Sequence, residues 1–430
     1  MTNVTQSELS GEAEFDVSKG QLAWTTFLLS AVSLFNYMDR YGISILVEPI
    51  KADLQLSDTQ LGLLTGFAFS LTYGLFGIPL GRLADTGHRV RLLAVCLAIW
   101  SAATAAMGAA NNFIQLAITR VFVGIGEAGG TPSSNSLIGD YYPPETRARG
   151  LSLFTFGGTI GSTVGLALIG IIADQFGWRT AVVFMGVPGV VLAVVLLMTV
   201  REPPRGRFQA VEQAPNVHWW DGVKAVLNRM TMRHMIAGYA ISAFGSLGIG
   251  AWQAAFFIRV HGLTLTEIGT ALGVLVGLAA VAGTLIGAVV GPMMVKRDRR
   301  WELWWPATAY MICIPLYVVA FMTDHLWTAY AMIGIASITV YTCVGLLMSG
   351  VQSVLPADAR AIGIALIMFA GGLFGAGIGP LLVGFLSDYW SATYGVDGLR
   401  YAIVVGIGFI FWGVLHFFFA SKYYLDDLVS

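Results

Sequence analysis

Four ionisable residues stand inside long apolar runs of this chain: Asp39 and Arg40 side by side in the first run, Arg120 and Glu127 in the fourth. A carboxylate or guanidinium at that depth in a membrane is costly unless it faces a partner or a water-filled cavity. Two chemistries suit the set. As a fixed ion-pair network, two acids and two bases neutralise one another. As a switch, a desolvated carboxylate holds a proton more readily, a nearby arginine opposes this, and alternating hydration binds and releases the proton. Arg120 and Glu127 are seven residues apart, about two turns along one helix face. Counted from the outer ends of their runs, Asp39 and Arg120 share a depth of roughly 11–12 Å, and Glu127 lies ~10 Å deeper. This spacing predicts that Arg40 or Arg120 holds Asp39 ionised. Glu127, with no adjacent arginine, is then the preferred proton-binding group.

The elements that must carry these residues follow from composition. Of 430 residues, 56% are hydrophobic and 11% charged, against about 25% charged in a soluble domain. The class is a polytopic membrane protein. Twelve apolar runs are long enough to span a bilayer as helices, at about 22–47, 59–84, 91–110, 113–141, 148–173, 178–200, 234–260, 266–294, 302–322, 326–354, 361–387 and 400–421. With a cytoplasmic amino terminus, eighteen of the 24 lysines and arginines fall inside. Four fall outside (Lys51, Arg179, Arg259, Arg400), and Arg40 and Arg120 stay in the membrane. This asymmetry predicts an integral protein of the cytoplasmic (inner) membrane with both termini cytoplasmic.

The chain also repeats. At a shift of 213, Pro143, Arg147, Gly150, Leu153, Phe156 and Gly158 meet Pro356, Arg360, Gly363, Leu366, Phe369 and Gly371. At 210, Gly77, Gly81 and Arg89 meet Gly287, Gly291 and Arg299. Six spans per copy give a parallel repeat about an axis along the membrane normal. The expected organisation is a disordered cytoplasmic tail (1–20), an N-terminal six-helix bundle (21–201), a cytoplasmic linker (202–233), a C-terminal six-helix bundle (234–423) and a short cytoplasmic tail (424–430). Cys96, Cys313 and Cys343 lie in apolar segments without paired or metal-ligand spacing and read as packing residues.

The loop after the second span, Gly81-Arg82-Leu83-Ala84-Asp85-Thr86-Gly87-His88-Arg89-Val90-Arg91, resembles the signature loop of the major facilitator superfamily, with His88 in place of a later glycine. The resemblance implies a cytoplasmic latch between the two halves, made by Asp85 and Arg89, with Arg147 beside them. The second-half loop has Val295 where the acid would stand, so the latch is expected to rest on Asp85. The stretches 36–40 (Asn-Tyr-Met-Asp-Arg), 124–128 (Gly-Ile-Gly-Glu-Ala) and 140–143 (Asp-Tyr-Tyr-Pro) with Arg147 resemble the spinster branch of that superfamily over nearly the whole chain. That resemblance implies a twelve-helix, all-α alternating-access transporter in which Glu127 and Asp39 govern proton-linked transport of lysolipid- or sphingolipid-like amphiphiles.

Phe176-Gly177-Trp178-Arg179 resembles a common superfamily turn, though an interfacial aromatic with a snorkelling arginine also accounts for it. Polar and aromatic residues expected to line the centre are Asn36, Tyr37, Tyr41, Thr131, Ser134, Asn135, Tyr239, Trp252, Gln253, Tyr341 and Met348. A charged first half facing an aromatic second half suits an amphiphile or organic anion with its head near Arg40 or Arg120. An uncoupled facilitator of a small organic anion is the alternative. No phosphate-binding loop, nucleophile elbow or metal-spaced cluster is present. The expectation is therefore no enzyme, no cofactor and no metal, with a proton gradient as energy source, a monomer in the bilayer, and no nucleic-acid partner.

Overall fold

A computed structural model describes residues 17–208 and 219–429. The described residues form fourteen helices: α1 Lys19–Ile45, α2 Val47–Leu54, α3 Asp58–Thr86, α4 Arg89–Met107, α5 Phe113–Tyr141, α6 Pro144–Phe176, α7 Trp178–Thr199, α8 Trp219–Asn228, α9 Met230–His261, α10 Leu265–Val295, α11 Trp301–Met322, α12 Leu326–Val354, α13 Arg360–Tyr394 and α14 Asp397–Tyr423. Ten of these are long and apolar enough to cross a membrane. Two more, α1 and α5, have 27 and 29 residues, and their buried charges dilute the apolar run. Twelve spanning helices result, in two six-helix bundles: α1 and α3–α7, then α9–α14. Within the bundles α1 packs on α6, α4 on α5 and α7, and α9 on α14.

The bundles meet along two seams, α6 against α10 and α3 against α13. Glycine makes the approach possible. A Cβ on Gly269 of α10 would stand 2.6 Å from the Leu166 carbonyl of α6, and one on Gly66 of α3 would stand 2.6 Å from the Gly377 carbonyl of α13. Around these contacts α3 and α13 each widen into a π-helical stretch, Leu63–Phe67 and Gly371–Ile378. Such single-turn widening often marks functional segments.

Several boundaries differ from the sequence reading. The first span ends at Ile45, and a separate short helix, α2, follows it, closing on Gln55 at φ 53°. Residues 1–16 of the expected tail lie outside the described residues. Helix α1 already starts at Lys19, where the Ser18 hydroxyl accepts the Gln21 N–H. Of the expected linker, 209–218 lie outside the described residues. Helix α8 buries Gly222 and Val226, with Gly222 against Ile362 of α13. The final segment is docked rather than free. Tyr424 is buried with its hydroxyl on Glu302, and the Val429 N–H donates to the Ser353 carbonyl at 3.0 Å.

Candidate functional site

The four charges converge between α1, α3, α4 and α5, in pairings that the linear spacing did not indicate. Arg40 donates to Glu127 at 2.9 Å. Glu127 is fully covered, whereas the Arg40 side chain keeps 32% of its surface exposed. The guanidinium lies over the rings of Phe69 and Tyr73, at 5.3 and 5.0 Å, a stacking that suits its weakly hydrated plane. Asp39 is covered too, yet it has no cation within ion-pair distance among the described residues. One of its oxygens accepts from the Thr104 hydroxyl at 3.3 Å, and the other has no partner.

The expectation that Arg40 or Arg120 holds Asp39 is therefore corrected. Neighbours in sequence on a helix point about 100° apart, so Arg40 turns to α5 and Asp39 to α4. Glu127, predicted to lack an arginine, is the residue that has one. Arg120 is buried, lies 5.1 Å over the Phe69 ring and donates to the Leu64 carbonyl at 3.2 Å. It is sealed from solvent and does not present itself to a substrate head group in this conformation.

The cleft candidates do not share one surface. Tyr37 and Tyr41 stack at 6.2 Å and are exposed beside Arg40. Tyr239 and Tyr341 of the second bundle lie near Tyr41 across the gap. Asn36 is buried beside Glu127. Trp252 belongs elsewhere: it is buried and its indole N–H donates to the Pro380 carbonyl at 2.9 Å, a bond within the second bundle beside the α3–α13 seam. Gln253 is covered next to it, Ser134 is covered, Met348 packs on the second-bundle core, and Thr131 is exposed.

Asn135 lines a separate cavity of about 520 Å³ near the face carrying the chain ends, with Asp85, Arg89, Asp140, Arg147 and Arg205. There Arg89 is buried and bound to Asp140, to Glu202 at 2.6 Å and to the Pro203 carbonyl. Arg147 donates to the Gly139 carbonyl at 3.0 Å. All these partners are in the first bundle or at the start of the linker, and Asp85 is exposed. The expected latch to the second half is not closed in this conformation. On the opposite face the halves are joined. Arg259 reaches both Glu48 and Asp58, at 2.7 and 2.6 Å, and Asp58 also accepts from Lys51 and Ser387. The molecule is thus sealed on one face, the outer one of the expected topology, and open on the face where α1 starts and α14 ends.

A family model for the Major Facilitator Superfamily matches residues 29–380. The chain belongs to the major facilitator superfamily. It is a membrane transporter with an alternating-access fold, not an enzyme. It is similar to a bacterial homologue of the human lysosomal transporter spinster, solved in an inward-facing and unoccupied conformation, with a TM-score of 0.89 and 29% identity over 96% of this chain and 100% of that one. That neighbour's conformation accords with the sealed outer face. An MFS-type efflux pump of Mycolicibacterium smegmatis is 32% identical over 95% of both chains. A probable L-galactonate transporter of Escherichia coli is 26% identical over 84% of this chain and 82% of that one.

The outer cluster of Glu48, Lys51, Asp58 and Arg259 escaped the sequence reading, which counted Lys51 and Arg259 only as loop charges. Two capping boxes could have flagged it. Ser57-Asp58-Thr59-Gln60-Leu61-Gly62 and Thr264-Leu265-Thr266-Glu267-Ile268-Gly269 share one pattern at a shift of 207. Trp178, read as an interfacial aromatic, is 5% exposed and donates to Asp53 at 3.0 Å. Arg179 also pairs with Asp53 and donates to the Ala110 carbonyl, so the turn ties α2 to the α4–α5 connection.

Proposed function

We propose that this transporter couples movement of an amphiphilic or anionic organic molecule to protons, with Asp39 as the proton carrier and Arg40–Glu127 as the exchangeable pair. The observation that carries the reading is Asp39 itself: a covered carboxylate with one oxygen unpartnered, beside an ion pair that has taken the arginine next to it. A covered carboxylate without a cation is much cheaper neutral than charged. In this conformation Asp39 holds a proton and Glu127 is neutralised by Arg40. When the bundles rock, Arg40 swings from Glu127 toward the site of Asp39 or a bound anion. The proton then leaves, or the substrate head takes the guanidinium. The exposed part of Arg40 and the tyrosines around it form a cationic, aromatic floor suited to an anionic head with an apolar tail. Lysolipid-like cargo is the expectation from the spinster-like motifs at 36–40 and 124–128, and a small organic acid is supported by the likeness to the galactonate transporter. The termini face the cytoplasm in this reading, on the positive-inside distribution.

The test is reconstitution in liposomes under an imposed pH gradient, with a lysophospholipid and a hexuronate as probes. The parent accumulates one of them when the gradient is present. Asp39→Asn still exchanges substrate across the membrane but no longer responds to the gradient, and Glu127→Gln weakens both. Proton coupling is refuted if parent and both variants transport equally well and with equal pH dependence.

A further inference from the structure

The two seams between the bundles are copies of one another, down to single atoms. At the start of α3, the Ser57 hydroxyl accepts the Gln60 N–H, while Asp388 of α13 accepts the Asp58 N–H at 2.9 Å and the Thr59 N–H at 2.8 Å. At the start of α10, the Thr264 hydroxyl accepts the Glu267 N–H, while Asp174 of α6 accepts the Leu265 N–H at 3.2 Å and the Thr266 N–H at 2.6 Å. In each case the helix caps its own third amide, and the first two are capped by a carboxylate of the other bundle. The correspondence continues into the outer parts of the helices, before the shifts change to the 210 and 213 of their inner ends. Residues of α3 map onto α10 at a shift of 207 and those of α6 onto α13 at 214. Thus Gly62 meets the Pro380 carbonyl as Gly269 meets that of Leu166, and Gly384 meets the Asp58 carbonyl as Gly170 meets that of Leu265.

We infer that Asp174 and Asp388 are a matched pair of clasps that hold the outer face shut, each closing one seam by capping the opposite bundle's helix. The first amides of a helix are unpaired donors at the positive end of its dipole, so a carboxylate stabilises them. A charge-assisted bond of this kind is stronger than a neutral one. The clasps exist only while the bundles touch: when the outer face opens, water takes over the four amides and both carboxylates. Their free energy therefore counts toward one conformation alone, which is what sets the balance of alternating access.

The clasps are unequal. Asp388 is half-buried and Thr59 adds its hydroxyl at 2.6 Å, with the Arg259–Asp58 cluster alongside. Asp174 is exposed, and the residue equivalent to Asp58 is Leu265, which cannot recruit an arginine. The α3–α13 seam is the strong one and the α6–α10 seam the weak one. This needs only the alternating-access fold, so its test requires neither a substrate nor a proton gradient.

The experiment places spin labels at Ala109→Cys in the first bundle and Thr393→Cys in the second, both exposed near the outer face. The native cysteines are buried. Pulsed distance measurements in nanodiscs then give the ratio of outer-open to outer-closed molecules. We expect Asp388→Asn to raise that ratio about tenfold and Asp174→Asn about threefold. Asp324→Asn, which removes an outer ion pair to Arg400 wholly within the second bundle, should leave it unchanged. Asp174→Asn, at an exposed position, carries the test alone where Asp388→Asn fails to fold. A ratio at either aspartate variant equal to that of the Asp324→Asn control overturns the paired clasp.

Discussion

Replacing Gly269 by alanine should drive the transporter out of its outer-closed conformation. The added Cβ would lie 2.6 Å from the Leu166 carbonyl oxygen, where ordinary contacts begin at 3.4 Å. The two backbones must therefore separate by about 0.8 Å at that point, on the geometry of close-packed interiors. Neither partner is a flexible side chain that could turn away. Overpacking of this kind costs about 1–3 kcal/mol, and the penalty falls only on the state in which α6 and α10 touch. The outer-open fraction should rise roughly 5- to 150-fold, read from the same label pair at positions 109 and 393. Gly250→Ala is the control, since a Cβ there meets nothing within 4 Å. It adds the same methyl group and the same backbone stiffening to a membrane helix without touching a seam. If Gly269→Ala gives the distance distribution of the parent and of Gly250→Ala, the seams are not the surfaces that part, and the symmetric-seam reasoning fails with them.

Two further outcomes follow from polar groups away from the cleft. Arg89→Ala leaves Asp140 and Glu202 without their cation, and Arg89 and Asp140 side chains are 1% and 8% exposed. Breaking such a buried pair should destabilise the first bundle by about 3–5 kcal/mol, seen as a lowered Tm in detergent that Arg89→Lys restores only in part because it lacks the fork. On the outer face, the hydrogen bond from Arg179, helped by Trp178, holds the Asp53 carboxyl below its ordinary range. Its folded form thus binds its proton less readily than its unfolded form, so its stabilisation is present at neutral pH and is lost as pH falls through the depressed value. Asp53→Asn should lower Tm at pH 7, by an amount that shrinks as pH falls through the depressed value; an equal deficit at neutral and acidic pH would contradict this.

Class, span count and repeat were legible in the linear chain. Each rests on a local or linear property: a helix needs ~20 apolar residues to cross a bilayer, and a duplicated unit leaves its spacing in the chain. The superfamily resemblance also lay in short motifs, and residues 81–91 carried it despite His88. The identities of the four buried charges were legible too, because charge inside an apolar run stands out whatever it touches.

Their partners were not legible. Adjacency in sequence suggested that Arg40 serves Asp39, whereas the helical turn between them sends the two side chains to different neighbours, and Arg40 finds Glu127 instead. Trp252 reads in the sequence as a cleft aromatic, whereas the Pro380 carbonyl takes its N–H inside the second bundle. The clasps were the least visible. Asp174 and Asp388 look like ordinary loop acids, and their shift of 214 matters only beside the 207 of the helices they cap. What decides such contacts is which faces two bundles turn toward each other, a property of the packed pair that neither span possesses alone.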